Sequence, residues 1–359
     1  MLQQGAEAIT PGAHDRARHP ARPEVTPRET RSLGPDFAEM MARYLGGRVM
    51  QAFADEDVTE LYVNPQDGVV RVETRRLGKL DTSYRLPRER VEMFLNAVAA
   101  SHGGRLDAEH PSLQAELPHD RFGGARLQGF VEPVTQGPCF TIRKPPAVVY
   151  SLDSYVQQGR LPTAWRLALG EAVRARASIL VVGGTNTGKT TLANALLREI
   201  ASARPADRVV ILEDTVELQC AAADHLSLRT APDVTLRDLV KQALRTNPTR
   251  IVVGEVRDAA ALDLLDAWAT GHPGGVATLH ATSVQGALLR LDRLAQRAGV
   301  PSQRALIAEA VQMVVLLQST SAQGAAARHV TDLVRVTGLT EEGRYVLHRC
   351  TERGTWETA

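Results

Sequence analysis

Lysine is scarce in this chain. Only Lys79, Lys144, Lys189 and Lys241 occur, against 42 Lys plus Arg in total. Arginine supplies the rest of the cationic surface, so each lysine stands out as a position where a compact ammonium matters. Cysteine is as thin: Cys139, Cys220 and Cys350 are odd in number and form no CxxC pair. This argues against a disulfide framework and a zinc module and for a reducing compartment. No run approaches the roughly 18 apolar residues of a membrane-crossing helix. The N-terminus lacks the apolar core of a secretory signal, so any membrane contact is expected to be peripheral. An excess of one charge is also missing, since 42 basic and 41 acidic residues leave a net charge of +1. Direct DNA binding therefore has no electrostatic footprint to support it. At 359 residues, with 43% hydrophobic and 23% charged, the chain has the bulk of a globular protein of two domains, or of one large domain with additions.

Residues 1–35 carry Pro11, Pro20, Pro23, Pro27 and Pro35, scattered arginine and few large apolar side chains. Such a segment buries too little surface to offset its ordering entropy and is expected to be a disordered tail. Helical periodicity starts near Pro35-Asp36, with Phe37, Met40, Met41, Tyr44 and Leu45 on one face. The stretch VTELYVNPQDGVVRVE (58–73) alternates, breaks at a turn and alternates again, as a hairpin does. Residues 88–103 have the helical period, and 125–134 and 139–144 read as two more strands. Helices on a small, mostly antiparallel sheet make 36–145 an α+β domain. The Pro-rich span 146–165 reads as a linker. From 166 to 359 continuous apolar runs (SILVVGG, RVVILED, RIVVGE, GVATLH) alternate with helical stretches at 189–202, 235–246, 258–269 and 285–298. That pattern belongs to an α/β domain with parallel strands buried on both faces. Residues 308–319 read as a helix running into a strand, followed by a terminal hairpin.

The run VVGGTNTGKTT fits G-x-x-x-x-G-K-[ST], between an apolar strand and a helix. Gly183, Gly184, Thr185, Asn186, Thr187 and Gly188 would wrap backbone N–H groups around phosphate at a helix N-terminus. Lys189 should reach the β and γ phosphates, Thr190 should ligate Mg²⁺, and Thr191 continues the loop into the helix. Arginine serves poorly there, because a planar fork does not fit where an ammonium does. In open α/β sheets ligands sit at the carboxyl ends of the strands. Glu213, Asp214 and Glu217 follow one strand and Glu255 follows another. Glu255 is the candidate general base and Glu213 the second acid, holding Mg²⁺ through water. Asp214 and the loop residue Glu217 are further candidates.

TGHPGGVATLHA (270–281) poses a separate question. His280 falls at the carboxyl end of the strand, where an imidazole would sense the γ-phosphate. His272 falls before the strand, at the opposite end, where it would meet a neighbouring element or subunit. A metal site would need a third ligand, and none is close in sequence.

Taken in order, the P-loop, ILEDTVEL, and LRTNPTRIVVGEVRDAAALDLLDAWATGHPGGVATLHA resemble the Walker A, acidic, Walker B and histidine boxes of the type II and type IV secretion ATPases. The likeness is nearest to conjugative-transfer ATPases of the TrbB type and covers roughly 40–340. It implies a RecA-like P-loop NTPase domain behind a PAS-like N-terminal domain, with ATP and Mg²⁺ held between them. It also implies a cytoplasmic homo-hexamer, peripheral at the inner membrane, that works with inner-membrane secretion or conjugation proteins. By the same resemblance, Arg126, Arg143 and Arg257 are candidates to reach the nucleotide phosphates. A type IV pilus-class assembly or retraction motor, and a P-loop phosphotransferase or nucleotide switch, remain as alternatives.

Overall fold

The computed structural model describes residues 35–145, 149–231, 233–322 and 325–359. Of the tail expected over 1–35, all but the last residue lies outside the described residues. The first part of the chain comprises helices α1 (Pro35–Leu45) and α2 (Gly47–Ala54) and strands β1 (Val58–Val63), β2 (Val69–Thr74) and β3 (Gly78–Arg85). Helix α3 (Arg88–Ser101), strand β4 (Ser112–Glu116), the short helix α4 (His119–Phe122) and strands β5 (Arg126–Phe130) and β6 (Cys139–Arg143) complete it. The strands form one antiparallel sheet in the order β3-β2-β1-β6-β5-β4. Met41, Leu45, Phe94, Leu95 and Val98 of α1 and α3 pack on Leu61, Val63, Leu127 and Ile142 of the sheet. Each such side chain, fully buried, stabilises the fold by about 1.5–3 kcal/mol. Lys144 follows β6 and donates to the Phe53 and Asp55 carbonyls at 2.7 and 2.8 Å. It neutralises the end of α2, a structural use of a rare lysine.

Two strands here escape the hydrophobic pattern. Strand β3 is largely exposed and polar, and β4 is short with a single buried residue. Both are sheet edges, where apolar alternation is selected against.

The second sheet is built on a different plan. Helices α5 (Leu152–Gln157) and α6 (Thr163–Arg174) precede strand β7 (Ile179–Gly183), helix α7 (Lys189–Ala203), and strands β8 (Val209–Glu213) and β9 (His225–Arg229). Then come α8 (Leu236–Ala243), β10 (Arg250–Val253), α9 (Ala260–Ala269), β11 (Val276–His280), α10 (Val284–Gln296) and α11 (Arg304–Ala310). Strands β12 (Met313–Ala322), β13 (Ala325–Leu339), β14 (Tyr345–Cys350) and β15 (Trp356–Thr358) close the chain. The order is β15-β14-β13-β12-β7-β11-β10-β8-β9. It is parallel from β12 to β9 and antiparallel through the terminal strands. Successive residues of β7 serve opposite cores: Ile179 and Val181 face one, Leu180 and Val182 the other. Burial on both faces explains why these strands read as continuous apolar runs.

One boundary needs correction. The span 146–165 reads as a linker, yet Leu152, Tyr155, Leu161 and Trp165 are buried in the same core as β7. Residues 152–165 therefore belong to the second unit. The prolines mislead here, because Pro162 stands immediately before α6. In that position a missing N–H costs nothing.

Candidate active site

The P-loop owes its shape to side chains it does not have. A Cβ on Gly183 would crowd Thr187 Oγ1 and lie 2.8 Å from the Leu317 carbonyl, so only glycine fits where β7 turns into the loop. Gly188 caps α7 with φ of 91°, in the left-handed region. Thr187 Oγ1 and Lys189 Nζ both donate to the Gly184 carbonyl, at 3.0 and 2.8 Å. Burial pulls the Lys189 ammonium below its ordinary pKa, while the Glu255 carboxylate is the chief charge opposing that shift. The result is a turn of backbone N–H groups and one desolvated cation at the start of a 15-residue helix, a built anion site.

The acids cluster around it. Residues Arg126, Arg143, Thr185, Asn186, Lys189, Thr190, Glu213, Asp214, Glu217, Glu255, Arg257 and His280 all line one polar cleft of about 280 Å³. Glu213, at the end of β8, is buried, and its Oε1 accepts the N–H groups of Glu217 and Leu218, each at 2.9 Å. Burial pushes its carboxyl up to about 7 despite those hydrogen bonds. It thus caps the loop that carries Glu217, a task that spacing alone does not reveal. Glu255, past the end of β10, pairs with Arg257 at 2.7 Å, and Arg257 also lies 3.5 Å from Asp214. Arg257 is held above its ordinary pKa, first by the Glu255 hydrogen bond.

Glu217 is more central than its loop position implies. Its Oε2 accepts the Thr190 hydroxyl at 3.1 Å and its Oε1 pairs with Arg126 at 3.1 Å. Arg126 and Arg143 are directly opposed on β5 and β6, so the first sheet aims two guanidinium groups at the loop of the second. Arg143 also lies 3.8 Å from Glu60. Asn194 on α7, overlooked in the sequence, is buried and holds both the Glu217 carbonyl and the Gln219 N–H. On the far side of the P-loop, Arg160 and Arg328 line an adjoining cleft with Lys189 and Thr190. No motif marks them.

The two histidines separate cleanly. His280 is the last residue of β11, in register with Gly183 of β7, and faces the cleft. His272 is at the other end of the strand. Its Nδ1 lies 2.8 Å from the Pro248 carbonyl, and its N–H donates to the Ala267 carbonyl at 3.1 Å. The glycines after it are compulsory: a Cβ on Gly275 would collide with the Ile251 carbonyl and with Trp268 Nε1. Beneath them the fully buried Arg250 donates to the Gly274 carbonyl at 2.7 Å.

The residues suit a magnesium nucleotide. A loop that opens on a glycine with no room for a Cβ and closes on one with left-handed backbone, a desolvated lysine, a hydroxyl on the first helical turn and several carboxylate oxygens match a hard, oxygen-seeking cation with a polyphosphate.

This fold and site define a P-loop ATPase of the secretion class, and the chain belongs to the family described as type II/IV secretion system protein, which it matches over residues 38–351. Among curated relatives, it is 40% identical to the probable conjugal transfer protein TrbB of Sinorhizobium fredii, over 87% of this chain and 93% of the relative. It is 39% identical to the conjugal transfer protein TrbB of Rhizobium radiobacter, over 85% and 91%. Two solved structures share the fold. The pilus retraction motor PilT with bound ADP matches with a TM-score of 0.59 and 19% identity, over 82% of this chain and 84% of that one. The Legionella pneumophila ATPase DotB matches with a TM-score of 0.56 and 20% identity, over 87% and 80%. The second half is thus RecA-like, as the boxes imply.

Proposed function

We propose that this chain hydrolyses ATP with Mg²⁺ as a homo-hexameric motor of a type IV secretion or conjugative-transfer system, driving pilus biogenesis or substrate transfer. It would work in the cytoplasm, peripheral at the inner membrane and docked on secretion or conjugation proteins there. The observation that carries the reading is the convergence of Arg126 and Arg143, from the first sheet, on the P-loop cleft of the second. A nucleotide in that cleft would touch both units, here read as a PAS-like domain at 36–145 and a RecA-like domain at 152–359, so its hydrolysis would move one against the other. The identity to TrbB relatives supports a conjugative system over a pilus motor.

Lys189 would hold the β and γ phosphates. Thr190 would be the direct ligand to Mg²⁺, with Glu213 reaching it through water by the oxygen not committed to the loop. When bound, the cation neutralises charge on the phosphates. Glu255 would orient and deprotonate the attacking water, and Arg257 fixes its position. Arg126 and Arg143 would stabilise charge on the transferring phosphoryl group, and His280 would hydrogen-bond the γ-phosphate or the water.

The deciding experiment is phosphate release from MgATP by the purified chain, with the oligomeric mass measured with and without a non-hydrolysable ATP analogue. A nucleotide-stabilised hexamer with turnover that rises with assembly supports the motor. A monomer whose turnover is independent of protein concentration overturns it, and phosphate appearing only with an acceptor would make it a phosphotransferase.

A further inference from the structure

One carboxylate in the cleft serves two masters. Glu217 accepts the Thr190 hydroxyl on one oxygen and pairs with Arg126 on the other, each at 3.1 Å. Thr190 belongs to the first turn of α7, and Arg126 is the first residue of β5 in the other sheet. Among the described residues Glu217 is thus a direct side-chain bridge between the hydroxyl of the P-loop helix and the N-terminal unit.

The bridge is anchored, and only its side chain is free to change partners. The Glu217 N–H is fixed to Glu213 Oε1 at 2.9 Å, and its carbonyl accepts from Asn194 Nδ2 at 3.3 Å. The next turn of the loop is fixed through the Gln219 N–H, at 2.8 Å from Asn194 Oδ1. The carboxylate itself lies at the cleft wall, a quarter exposed.

Arg126 is poorly provided for by comparison. Its Nε is buried and meets no acceptor among the described residues. Burial lowers its pKa, and Arg143 and Arg257 add like charge nearby. A guanidinium with an unused donor and two cationic neighbours gains by trading one carboxylate for a more highly charged anion.

We propose that Glu217 is a positioning residue that couples the metal site to the N-terminal unit. One oxygen sets the direction of the Thr190 hydroxyl, and the other holds Arg126. With a divalent cation held at Thr190, Glu217 would commit its charge to the Thr190 side of the cleft, its ion pair with Arg126 would weaken, and Arg126 would be free to serve a bound phosphate. The strength of cation binding and the position of the first sheet are then linked through one side chain, and linkage of this kind is reciprocal.

This inference rests on the cleft being a magnesium-nucleotide site, and the test separates the two claims. The probe is a fluorescent ADP analogue, titrated at equilibrium with excess chelator and then with Mg²⁺, on the full chain. The variants are the wild type, Glu217→Gln, Arg126→Gln and the double variant, each first checked by thermal melting. Glu217→Gln should raise the Mg²⁺ needed for half-maximal binding by about tenfold, within the range that contacting residues show in such cycles. Binding with chelator should not weaken. Arg126→Gln should shift the Mg²⁺ requirement the other way, because the freed carboxylate serves the cation better. In the double variant that shift should vanish when compared with Glu217→Gln alone. Equal Mg²⁺ and chelator effects of Glu217→Gln would make the residue a loop support only. An Arg126→Gln shift that is the same with and without Glu217→Gln would make Arg126 a nearby charge without coupling. Either result overturns the inference. If the wild type binds no ADP at all, the reading of the site itself fails.

Discussion

Arg250 and Asp207 form an ion pair at 2.7 Å with both side chains almost wholly removed from water, 0% and 2% exposed. Arg250 opens β10, and Glu255 stands just beyond the other end of that strand. The guanidinium also donates to the Val173 and Gly274 carbonyls, at 2.9 and 2.7 Å, so every face of it is engaged. Burial works against the Asp207 charge, but hydrogen bonds from Arg176 and Arg250 hold its carboxyl below the ordinary range.

Breaking that pair from one side should be severe. Asp207→Ala leaves a buried guanidinium without its counter-ion, at a cost of about 3–5 kcal/mol. The thermal midpoint should fall accordingly. Nucleotide affinity, measured well below the transition, should stay within about twofold, because the P-loop is at the opposite end of the sheet and distant sites act independently. A large loss of affinity in folded protein would show that the two ends of β10 are coupled.

Turnover should distinguish the two principal acids. Glu255→Gln keeps the shape and the Arg257 contact but removes the base, so kcat should fall by about 10²–10⁴-fold with nucleotide binding nearly intact. Glu213→Gln should chiefly raise the Mg²⁺ requirement. Steady-state phosphate release with parallel binding measurements checks both. If Glu213→Gln abolished turnover while Glu255→Gln did not, the two roles would be exchanged. Lys189→Ala, by contrast, should lose both binding and turnover.

The raised carboxyl of Glu213 carries a stability prediction with a definite sign. Its pKa is about 7 when folded, against an ordinary value of 4.5. The folded protein therefore binds more protons between those values than the unfolded chain does. Its contribution is fully present below about 4.5 and is lost as pH rises through about 7. Without nucleotide or metal, the wild type should lose more melting temperature between pH 5 and 8 than Glu213→Gln does (the scale of that loss following the shift). Parallel slopes for the two proteins would show that the buried carboxyl does not titrate in this window.

How much of this was written in the sequence depends on whether the signal is local. The P-loop is a linear device, strand then glycines then helix, and Gly183 and Gly188 stand where the backbone admits nothing else. The parallel strands announce themselves because both faces are buried. The edge strand β9 alternates with exposed, polar residues and offers no such run, and β3 and β4 escape for similar reasons. Glu217 was legible only as a loop acid, since its meaning comes from Thr190 and Arg126, which folding brings to it from other elements. The same holds for the ion pair of Arg229 with Glu116, which ties β9 to β4 across the two sheets.

The histidines of TGHPGGVATLHA should fail in different ways. His272 spends its Nδ1 on the Pro248 carbonyl at the end of the sheet away from the phosphates. His272→Ala should therefore cost about 1 kcal/mol of stability, the net worth of one such hydrogen bond, and leave kcat almost unchanged. His280, in register with Gly183 and facing the cleft, should behave oppositely. His280→Ala should melt near the wild type and bind ADP normally, but lose turnover and the preference for a γ-phosphate-bearing analogue over ADP. Melting curves, kcat and the ratio of the two nucleotide affinities read all three effects. If His272→Ala stopped turnover in a protein that melts normally, its role would lie at a contact with another subunit, and the division between a structural and a sensing histidine would be wrong.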